Sequence, residues 1–229
     1  ANLYNTNLSG ADLSHSTIYK ANVSNTNFKY ANLSYADLCG AEYGLDANSI
    51  TYFVASLGRV VAFDFTGTDL SYADFDHASL KNAILTDAIV RYTNFHDSNL
   101  SNVNLSGKDL TGTILTRADL SDTNLAGVDL SGKDLTGTIL TGADLSYANL
   151  AGVDLSGMDL TRTILREAYM SNSILTGVDL SGMDLTGTIL TGADLSDANL
   201  SNAILINANL SNATLENAKL LDVNLDSAN

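Results

Sequence analysis

The chain has 229 residues, with 11 lysines and arginines against 26 aspartates and glutamates, so its formal charge is −15. This charge argues against direct binding of nucleic acid, because phosphates are recognised by a positive surface. Hydrophobic residues make up 45% of the chain, which is enough for a sizeable core, but no apolar run is long enough to insert into a membrane as a helix. Cys39 is the only cysteine and proline is absent. An intramolecular disulfide is therefore excluded, and nearly every backbone N–H is able to donate a hydrogen bond.

A five-residue repeat begins at the first residue and reads ANLYN, TNLSG, ADLSH, STIYK. We call the middle residue of each repeat its centre. Centres run from Leu3 to Leu38 and from Leu70 to Leu225, and every one is Leu, Ile, Val, Phe or Met. Two places before the centre, at what we call the inner small place, most repeats have Ala, Ser or Thr. The place just before the centre, the pre-centre place, mostly holds Asp or Asn.

A period of five fits neither an amphipathic helix nor a flat strand. A chain that buries one large and one small side chain in every repeat must turn a corner in every repeat. Four corners close a square coil of four repeats, and stacked coils would pair their backbones at roughly 4.8 Å, as strands do. The pattern therefore predicts a solenoid, in which each coil buries its faces against its neighbours.

With these repeats the sequence resembles the pentapeptide repeat family, whose consensus is A(D/N)LXX. The resemblance covers positions 1–43 and 68–229. It implies an all-β fold, a right-handed quadrilateral parallel β-helix with the centres and small residues inward. At four repeats a coil, the two blocks would give about ten coils with one non-repeat insertion. Family members are mostly non-enzymatic, and the best understood protect or inhibit type II topoisomerases by imitating duplex DNA.

The interruption at residues 44–67 separates the first repeat block, 1–43, from the second, 68–229. The centres on its two sides are not a multiple of five apart, so a segment must loop out. A short helix near 50–57 is one prediction for it, and irregular strand, favoured by its β-branched and aromatic residues, is the other. It is either a tolerated loop or a partner-contact loop. In the second case Tyr52, Phe53 and Arg59 are the contact candidates.

A longer period, of five repeats, appears in GKDL, GKDL, GMDL and GMDL. It places Lys108, Lys133, Met158 and Met183 at the inner small place. Because a buried lysine is costly unless it is paired, we expect the two lysines to bend outward along their methylenes and their coils to be widened. Duplication of a segment explains the period without function; a spiralling binding surface is the alternative.

Outward aromatic and aliphatic side chains are the other candidates for partner contact. Tyr72 and Tyr92 lie one coil apart and predict a surface ladder or a contact point. Isoleucines occupy several pre-centre places, where side chains should point outward. Those chosen as contact candidates follow the longer period: Ile114, Ile139, Ile164 and Ile189. The aspartates at pre-centre places spiral in the same way, which argues against the continuous acidic stripe that a DNA mimic needs.

One cluster of ionisable residues is a candidate for metal binding or for charge pairing across coils. A coil of four repeats places Asp76 over His96 and His77 over Asp97, with Arg117 one coil further. These four His and Asp residues are a weak candidate for a metal such as zinc, and pairing across coils is favoured over it. No phosphate loop, metalloprotease motif or nucleophile elbow is present in the sequence. We therefore predict no catalytic residue and no cofactor.

The sequence predicts a non-enzymatic scaffold or protein–protein interaction module, a segment or subunit of a larger assembly with a protein partner that it does not identify. End-to-end or multi-subunit assembly is compatible with the repeats. The alternative is a DNA-mimicking inhibitor or protector of a type II topoisomerase such as gyrase. A single cysteine favours the cytoplasm, although a mature chain from an organelle lumen or the periplasm would look the same.

Overall fold

The computed structural model describes residues 3–18, 23, 25–34, 36 and 63–229. Two compact units are formed. Unit 1 comprises Ala1–Asn104 with Lys108–Leu120, and unit 2 comprises Leu105–Gly107 with Ser121–Asn229. In both units the described residues form neither helices nor extended strands. They alternate two-residue turns with single-residue parallel bridges.

The bridges give the length of one coil. In unit 1 Asp74 pairs with Asn94, and in unit 2 Asp154 pairs with Ile174, in each case four repeats further along the chain. Four repeats therefore separate residues that lie side by side on neighbouring coils. This is the four-sided coil that the sequence predicts.

Each corner of a coil is a tight turn closed by one backbone hydrogen bond. The N–H of Ala73 donates to the carbonyl of Leu70 at 2.9 Å, and Ala143 donates to Leu140 in the same way at 2.9 Å. The residue before the donor has a left-handed backbone, with φ of 60° at Tyr72. A positive φ at the third residue is the mark of a type II turn, which favours Gly and Asn. This explains why Gly, Asn and Asp recur at the last place of the repeat.

The core is built from the centres and the inner small residues, nearly all of which are buried among the described residues between 23 and 208. In unit 1 four buried phenylalanines contact one another in turn, from Phe28 through Phe65 and Phe75 to Phe95. Phe28 and Phe65 meet edge to face at 6.0 Å, and Phe75 lies almost parallel to Phe95 with the ring centroids 5.6 Å apart. Phe75 and Phe95 are centres four repeats apart, so the four-repeat coil predicts that they stack, and the structure confirms it.

The interruption leaves the pairing of its flanking coils in register. Asn27 bridges Asp69 across it, although neighbouring coils elsewhere are only four repeats apart. The interruption therefore more than doubles the length of chain in one coil without breaking the ladder beside it. Tyr52, Phe53 and Arg59, and the predicted helix or strand, lie outside the described residues.

The predicted boundary of the interruption at residue 67 is too late by one repeat. Asp64 bridges Ile84, and Phe65 is fully buried as a centre. The second block therefore begins at Phe63, and residues 63–67 belong to the coil. The pattern missed this repeat because Phe63, a large residue, occupies the inner small place, where it is also buried.

Three pre-centre residues break the regular pairing. Between Asp64 and Asn224, every pre-centre residue forms a parallel bridge except Asp109, Asp134 and Asp159. Each of the three follows a bulky residue at the inner small place, namely Lys108, Lys133 or Met158. A side chain that is too large for the inner small place displaces its strand, which then lacks its bridges to the neighbouring coils.

Lys108 shows how a coil accommodates such a residue. Its Nζ donates to the carbonyl of Ala88 at 3.1 Å, where a backbone N–H donates in regular coils, as from Asp119 to Ser98. Burial lowers the pKa of Lys108, and Asp87 opposes that shift. The expected outward bend is therefore partial, because the ammonium group stays against the coil backbone.

Met183 breaks the ladder on one side only. Asp184, which follows it, still bridges Ile204 on the next coil. Towards the preceding coil the regular backbone bonds are missing, since among the described residues none joins Leu160 to Asp179 or Leu165 to Asp184. A bulky residue at the inner small place therefore separates its coil from the preceding one.

The pre-centre aspartates have a local structural role. Their Oδ1 atoms accept the backbone N–H two residues on, as from Ser156 to Asp154 at 2.9 Å and from Ser181 to Asp179 at 3.0 Å. Hydrogen bonds from the hydroxyl and backbone N–H of Ser156 hold the pKa of Asp154 below its ordinary value of 3.8. The same two kinds of bond, with the side-chain bond first, lower the pKa of seven more: Asp12, Asp129, Asp134, Asp159, Asp179, Asp184 and Asp194.

These lowered pKa values predict how stability depends on pH. A carboxylate whose pKa is lower in the folded state contributes stability above its ordinary value of 3.8, and that contribution is lost as the pH falls through the folded value. Urea midpoints should therefore drop below about pH 4. The double variant Asp154→Asn with Asp179→Asn should lose less of its urea midpoint over the same pH range. An amide oxygen still accepts the backbone N–H, and it does not titrate. Identical pH profiles for the two proteins would contradict this account.

Candidate functional site

The predicted cluster of His and Asp side chains is assembled in unit 1 around the Asp97 carboxylate. Asp97 lies 3.3 Å from His77 Nε2, 3.1 Å from His96 Nε2 and 2.7 Å from Arg117 Nε. The other ring nitrogen of His77 lies 2.9 Å from Asp76. The Nδ1 of His96 lies 2.8 Å from the hydroxyl of Thr116.

The geometry combines pairs across coils, in which Asp97 meets His77 and Arg117, with pairs of sequence neighbours, His77 with Asp76 and His96 with Asp97. His77 touches a carboxylate with each ring nitrogen, so its doubly protonated form satisfies both contacts. Arg117 donates to the carboxylate at the centre of the cluster and opposes a second cation there. Among the described residues, no group of three or more His, Cys, Asp or Glu side chains is arranged to hold a metal.

The predicted tyrosine ladder is present on unit 1 and is longer than the sequence suggests. Tyr72 and Tyr92 stack with ring centroids 4.7 Å apart and planes 6° apart, and Tyr30 stacks on Tyr72 at 4.9 Å. All three rings are exposed. Lys29 Nζ lies 5.5 Å from the centroid of Tyr30, and the guanidinium of Arg91 lies 6.0 Å from that of Tyr92. Tyr30 was missed because the interruption hides its alignment with Tyr72.

The candidate isoleucines point outward but do not form one patch. Ile114, Ile139 and Ile164 are each nearly half exposed, and Ile189 is partly exposed. Within unit 2 Ile164 pairs with Asp144, and Ile189 pairs with Tyr169. Since five repeats make one and a quarter coils, Ile139, Ile164 and Ile189 occupy successive sides of the solenoid.

A groove opens in unit 2 between residues 133–141 of one coil and 154–159 of the next. Its volume is about 600 Å³. The lining residues are Lys133, Asp134, Leu135, Thr136, Gly137, Thr138, Ile139, Thr141, Asp154, Ser156, Gly157, Met158 and Asp159. It lies where Asp134 and Asp159 lack their bridges, so the bulky residues that displace the strands also open the groove. Sequence reasoning singled out Ile139 and the GKDL and GMDL segments but not the groove that they form.

Three carboxylates give this groove its charge. Asp134, Asp154 and Asp159 are exposed, and each accepts the backbone N–H two residues on, at 2.9 Å. Hydrogen bonds from the Thr136 hydroxyl and N–H lower the pKa of Asp134, and the equivalent bonds from Thr161 lower that of Asp159. The groove is therefore anionic at neutral pH, with Lys133 as its single basic residue.

Comparison with known protein families identifies the family of the chain. A profile of pentapeptide repeats finds eight copies, over residues 6–42, 63–87, 85–117, 93–132, 118–157, 155–192 and 193–229. The chain belongs to the pentapeptide repeat family. Pentapeptide repeat proteins fold as right-handed quadrilateral β-helices, which agrees with the four-repeat spacing of the bridges. Comparison with curated proteins gives no match.

Solved structures of pentapeptide repeat proteins are similar to the chain. HetL, involved in heterocyst differentiation regulation in the cyanobacterium Nostoc sp. strain PCC 7120, is 28% identical with a TM-score of 0.60, over 95% of this chain and 91% of that one. QnrB1, a plasmid-mediated fluoroquinolone resistance protein, is 18% identical with a TM-score of 0.30, over 91% of this chain and 89% of its own. A protein of the Arabidopsis thaliana thylakoid lumen is 24% identical with a TM-score of 0.20, over 54% and 66%. HetL supports the shared fold, and the other two carry no argument.

The part of the chain that the structure describes contains no helix long and apolar enough to cross a membrane.

The tyrosine ladder ends on Gly112, and this predicts a difference between two glycines. A Cβ at Gly112 would lie 2.1 Å from Cδ1 of Tyr92, whereas a Cβ at Gly107 would meet nothing within 4 Å. Both glycines have a positive φ, 68° and 66°, so the backbone cost of alanine is the same. Gly112→Ala should therefore cost about 1–3 kcal/mol more than Gly107→Ala in urea unfolding, because the stacked ring must move.

The control for this comparison is the same pair of substitutions in a Tyr92→Ala background. Removal of the ring should abolish the difference between the two glycines. A difference that persists without Tyr92 would show that the ring does not cause it.

Proposed function

We propose that the chain is a non-enzymatic β-helical scaffold that binds a protein partner through its outer faces. The observation that carries this proposal is the exposed ladder of Tyr30, Tyr72 and Tyr92, which lie on three successive coils joined by backbone hydrogen bonds. Stacking fixes the three rings before a partner arrives, so little side-chain entropy is lost on binding. Tyrosine is also among the residues most enriched at the centres of protein interfaces.

Several finer proposals accompany this one. We infer about ten coils with one insertion that ends before Phe63 and contains the contact candidates Tyr52, Phe53 and Arg59. The isoleucines Ile114, Ile139, Ile164 and Ile189 would add apolar contacts on other sides. Membership of a larger assembly is part of the same proposal, because stacked coils can pair with further coils.

The proposal is tested by identifying and titrating a partner. Cross-linking with mass spectrometry in extract of the source cells should identify a protein that is joined to residues near the tyrosine ladder. Tyr72→Ser with Tyr92→Ser should then weaken binding of that purified partner by about tenfold or more. Tyr147→Ser with Tyr169→Ser is the matched control, since those two tyrosines are also exposed but lie on unit 2. Equal effects of the two double variants would contradict a role for the ladder.

A topoisomerase inhibitor is the second candidate function, and the charge of −15 favours it. The arrangement of charge is less favourable to DNA mimicry, because Ile174 lies between Asp154 and Asp194 in one row of bridged residues. A gyrase supercoiling assay, with and without a fluoroquinolone, distinguishes a topoisomerase inhibitor from a scaffold. Inhibition or drug protection at micromolar protein would support the mimic, and no effect with folded protein would leave the scaffold.

A further inference from the structure

The hydroxyl of Thr116 departs from the usual bonding of its place in the repeat. In several repeats the hydroxyl just after the centre donates to the pre-centre side chain of the same repeat, as from Ser131 to Asp129 at 2.7 Å. In the repeat of Thr116 the pre-centre residue is Ile114, which cannot accept a hydrogen bond. The Thr116 hydroxyl instead lies 2.8 Å from Nδ1 of His96, one coil earlier.

A carboxylate holds His96 by its other ring nitrogen. Its Nε2 lies 3.1 Å from Asp97, and Nε of Arg117 lies 2.7 Å from the same carboxylate. In its neutral form the imidazole donates from Nε2 to Asp97 and accepts at Nδ1 from the hydroxyl. A hydroxyl bonded to a base that a carboxylate orients is the arrangement that activates serine and threonine nucleophiles.

Two backbone N–H groups beside this hydroxyl are open to a ligand. The N–H of Thr116 lacks the pre-centre acceptor that Ser131 finds in Asp129 at 3.0 Å. Within the described ranges, neither the N–H of Thr116 nor that of Arg117 donates to a protein atom. Thr116 is partly exposed and Arg117 is exposed, so this corner of the coil is accessible from solvent. Backbone donors stabilise the oxyanion of acyl transfer, and the N–H after the nucleophile does so in α/β-hydrolases.

We propose that Thr116 is an acyl acceptor, which takes an acyl group from a thioester with His96 as the general base. Oγ1 of Thr116 bonds to the carbonyl carbon while its proton passes to Nδ1 of His96, and the oxyanion accepts from the two free N–H groups. The C–S bond then breaks, and the thiolate takes the proton from His96. The products are a threonyl ester and a free thiol. Asp97 is a positioning residue, since it acts through the imidazole.

This reaction goes beyond the proposed scaffold function and does not depend on the tyrosine ladder. It modifies each chain once, without turnover, and so agrees with a non-enzymatic scaffold.

The test treats the folded protein with phenyl thioacetate and follows the acetyl groups by peptide mass spectrometry. Thr141 is the matched control, because its pre-centre residue is also an isoleucine and it is also partly exposed. Among the described residues no imidazole contacts Thr141, and the N–H after it, of Gly142, donates to Thr161 at 2.9 Å. Thr116 should be acetylated at least about tenfold faster than Thr141, since general-base catalysis contributes about 10²–10⁴-fold. Equal rates, or no acetyl group on Thr116, would overturn the proposal.

Single substitutions of histidine assign the base. His96→Gln should slow acetylation of Thr116 by at least about tenfold without loss of the urea midpoint. His15→Gln removes a histidine outside the cluster and should change the rate by less than about twofold. An unchanged rate in folded His96→Gln would overturn the proposal.

A second pair of variants tests the hydroxyl itself and leaves the histidine in place. Thr116→Ser keeps the hydroxyl and should still be acetylated at this position, whereas Thr116→Val has a similar shape and should not. Alkaline hydroxylamine should remove the acetyl group from Thr116, because it cleaves esters and leaves the amides of lysine intact. An acetyl group on His96 instead of Thr116 would show that the imidazole is the nucleophile, and would overturn the proposal.

Discussion

The approach of one coil to the next depends on the small side chain two places before each centre. Where that residue is Ala, Ser or Thr, neighbouring coils come within backbone hydrogen-bond distance, as between Leu145 and Ile164 at 2.8 Å. The bridges, the stacked core and the rows of outward side chains all require that distance. Where Lys133 or Met158 takes the place, the bridge is absent and a groove opens in its stead. The same constraint therefore accounts both for the regular coils and for the groove, which is the clearest departure from them.

The five-residue period was sufficient to predict much of the fold, because each place in the repeat has one physical role. Centres predicted the core, the period predicted the four-sided coil, and the spacing of Phe75 and Phe95 predicted their stacking. What the period could not provide was information about the exceptions. Phe63 hid a repeat because it is too large for its place, and the interruption hid the alignment of Tyr30 with Tyr72.

Spacing along the sequence predicted some of the candidate sites but not the groove. Arithmetic in steps of four repeats placed His77 beside Asp97 and Tyr72 over Tyr92, as the structure has them. The groove was beyond such arithmetic, because it depends on the volume of the side chain at the inner small place and not on spacing. At Met158 and at Met183 alike, the regular bonds to the preceding coil, from Leu140 and from Leu165, are missing. A search for Lys or Met at the inner small place would have located these breaks in the sequence.

The acidic charge has a structural explanation as well as a functional one. Each pre-centre aspartate closes a turn by accepting a backbone N–H, so one oxygen of the carboxylate serves the fold while the charge is exposed to solvent. A scaffold with many such turns becomes acidic without selection for an acidic partner site. The three aspartates of the groove differ in lying beside the apolar side chains of Ile139 and Met158.

Hydrogen exchange of the free protein, resolved to single amides by NMR, tests the central constraint most directly. If bulky inner residues break the ladder, the amides of Leu135 and Leu140 will exchange much faster than those of Leu145 and Leu150, whose N–H groups donate to the next coil at 2.8 and 2.7 Å. Equal protection of all four leucines would show that the coils are paired at Lys133 and Met158, and would contradict the account.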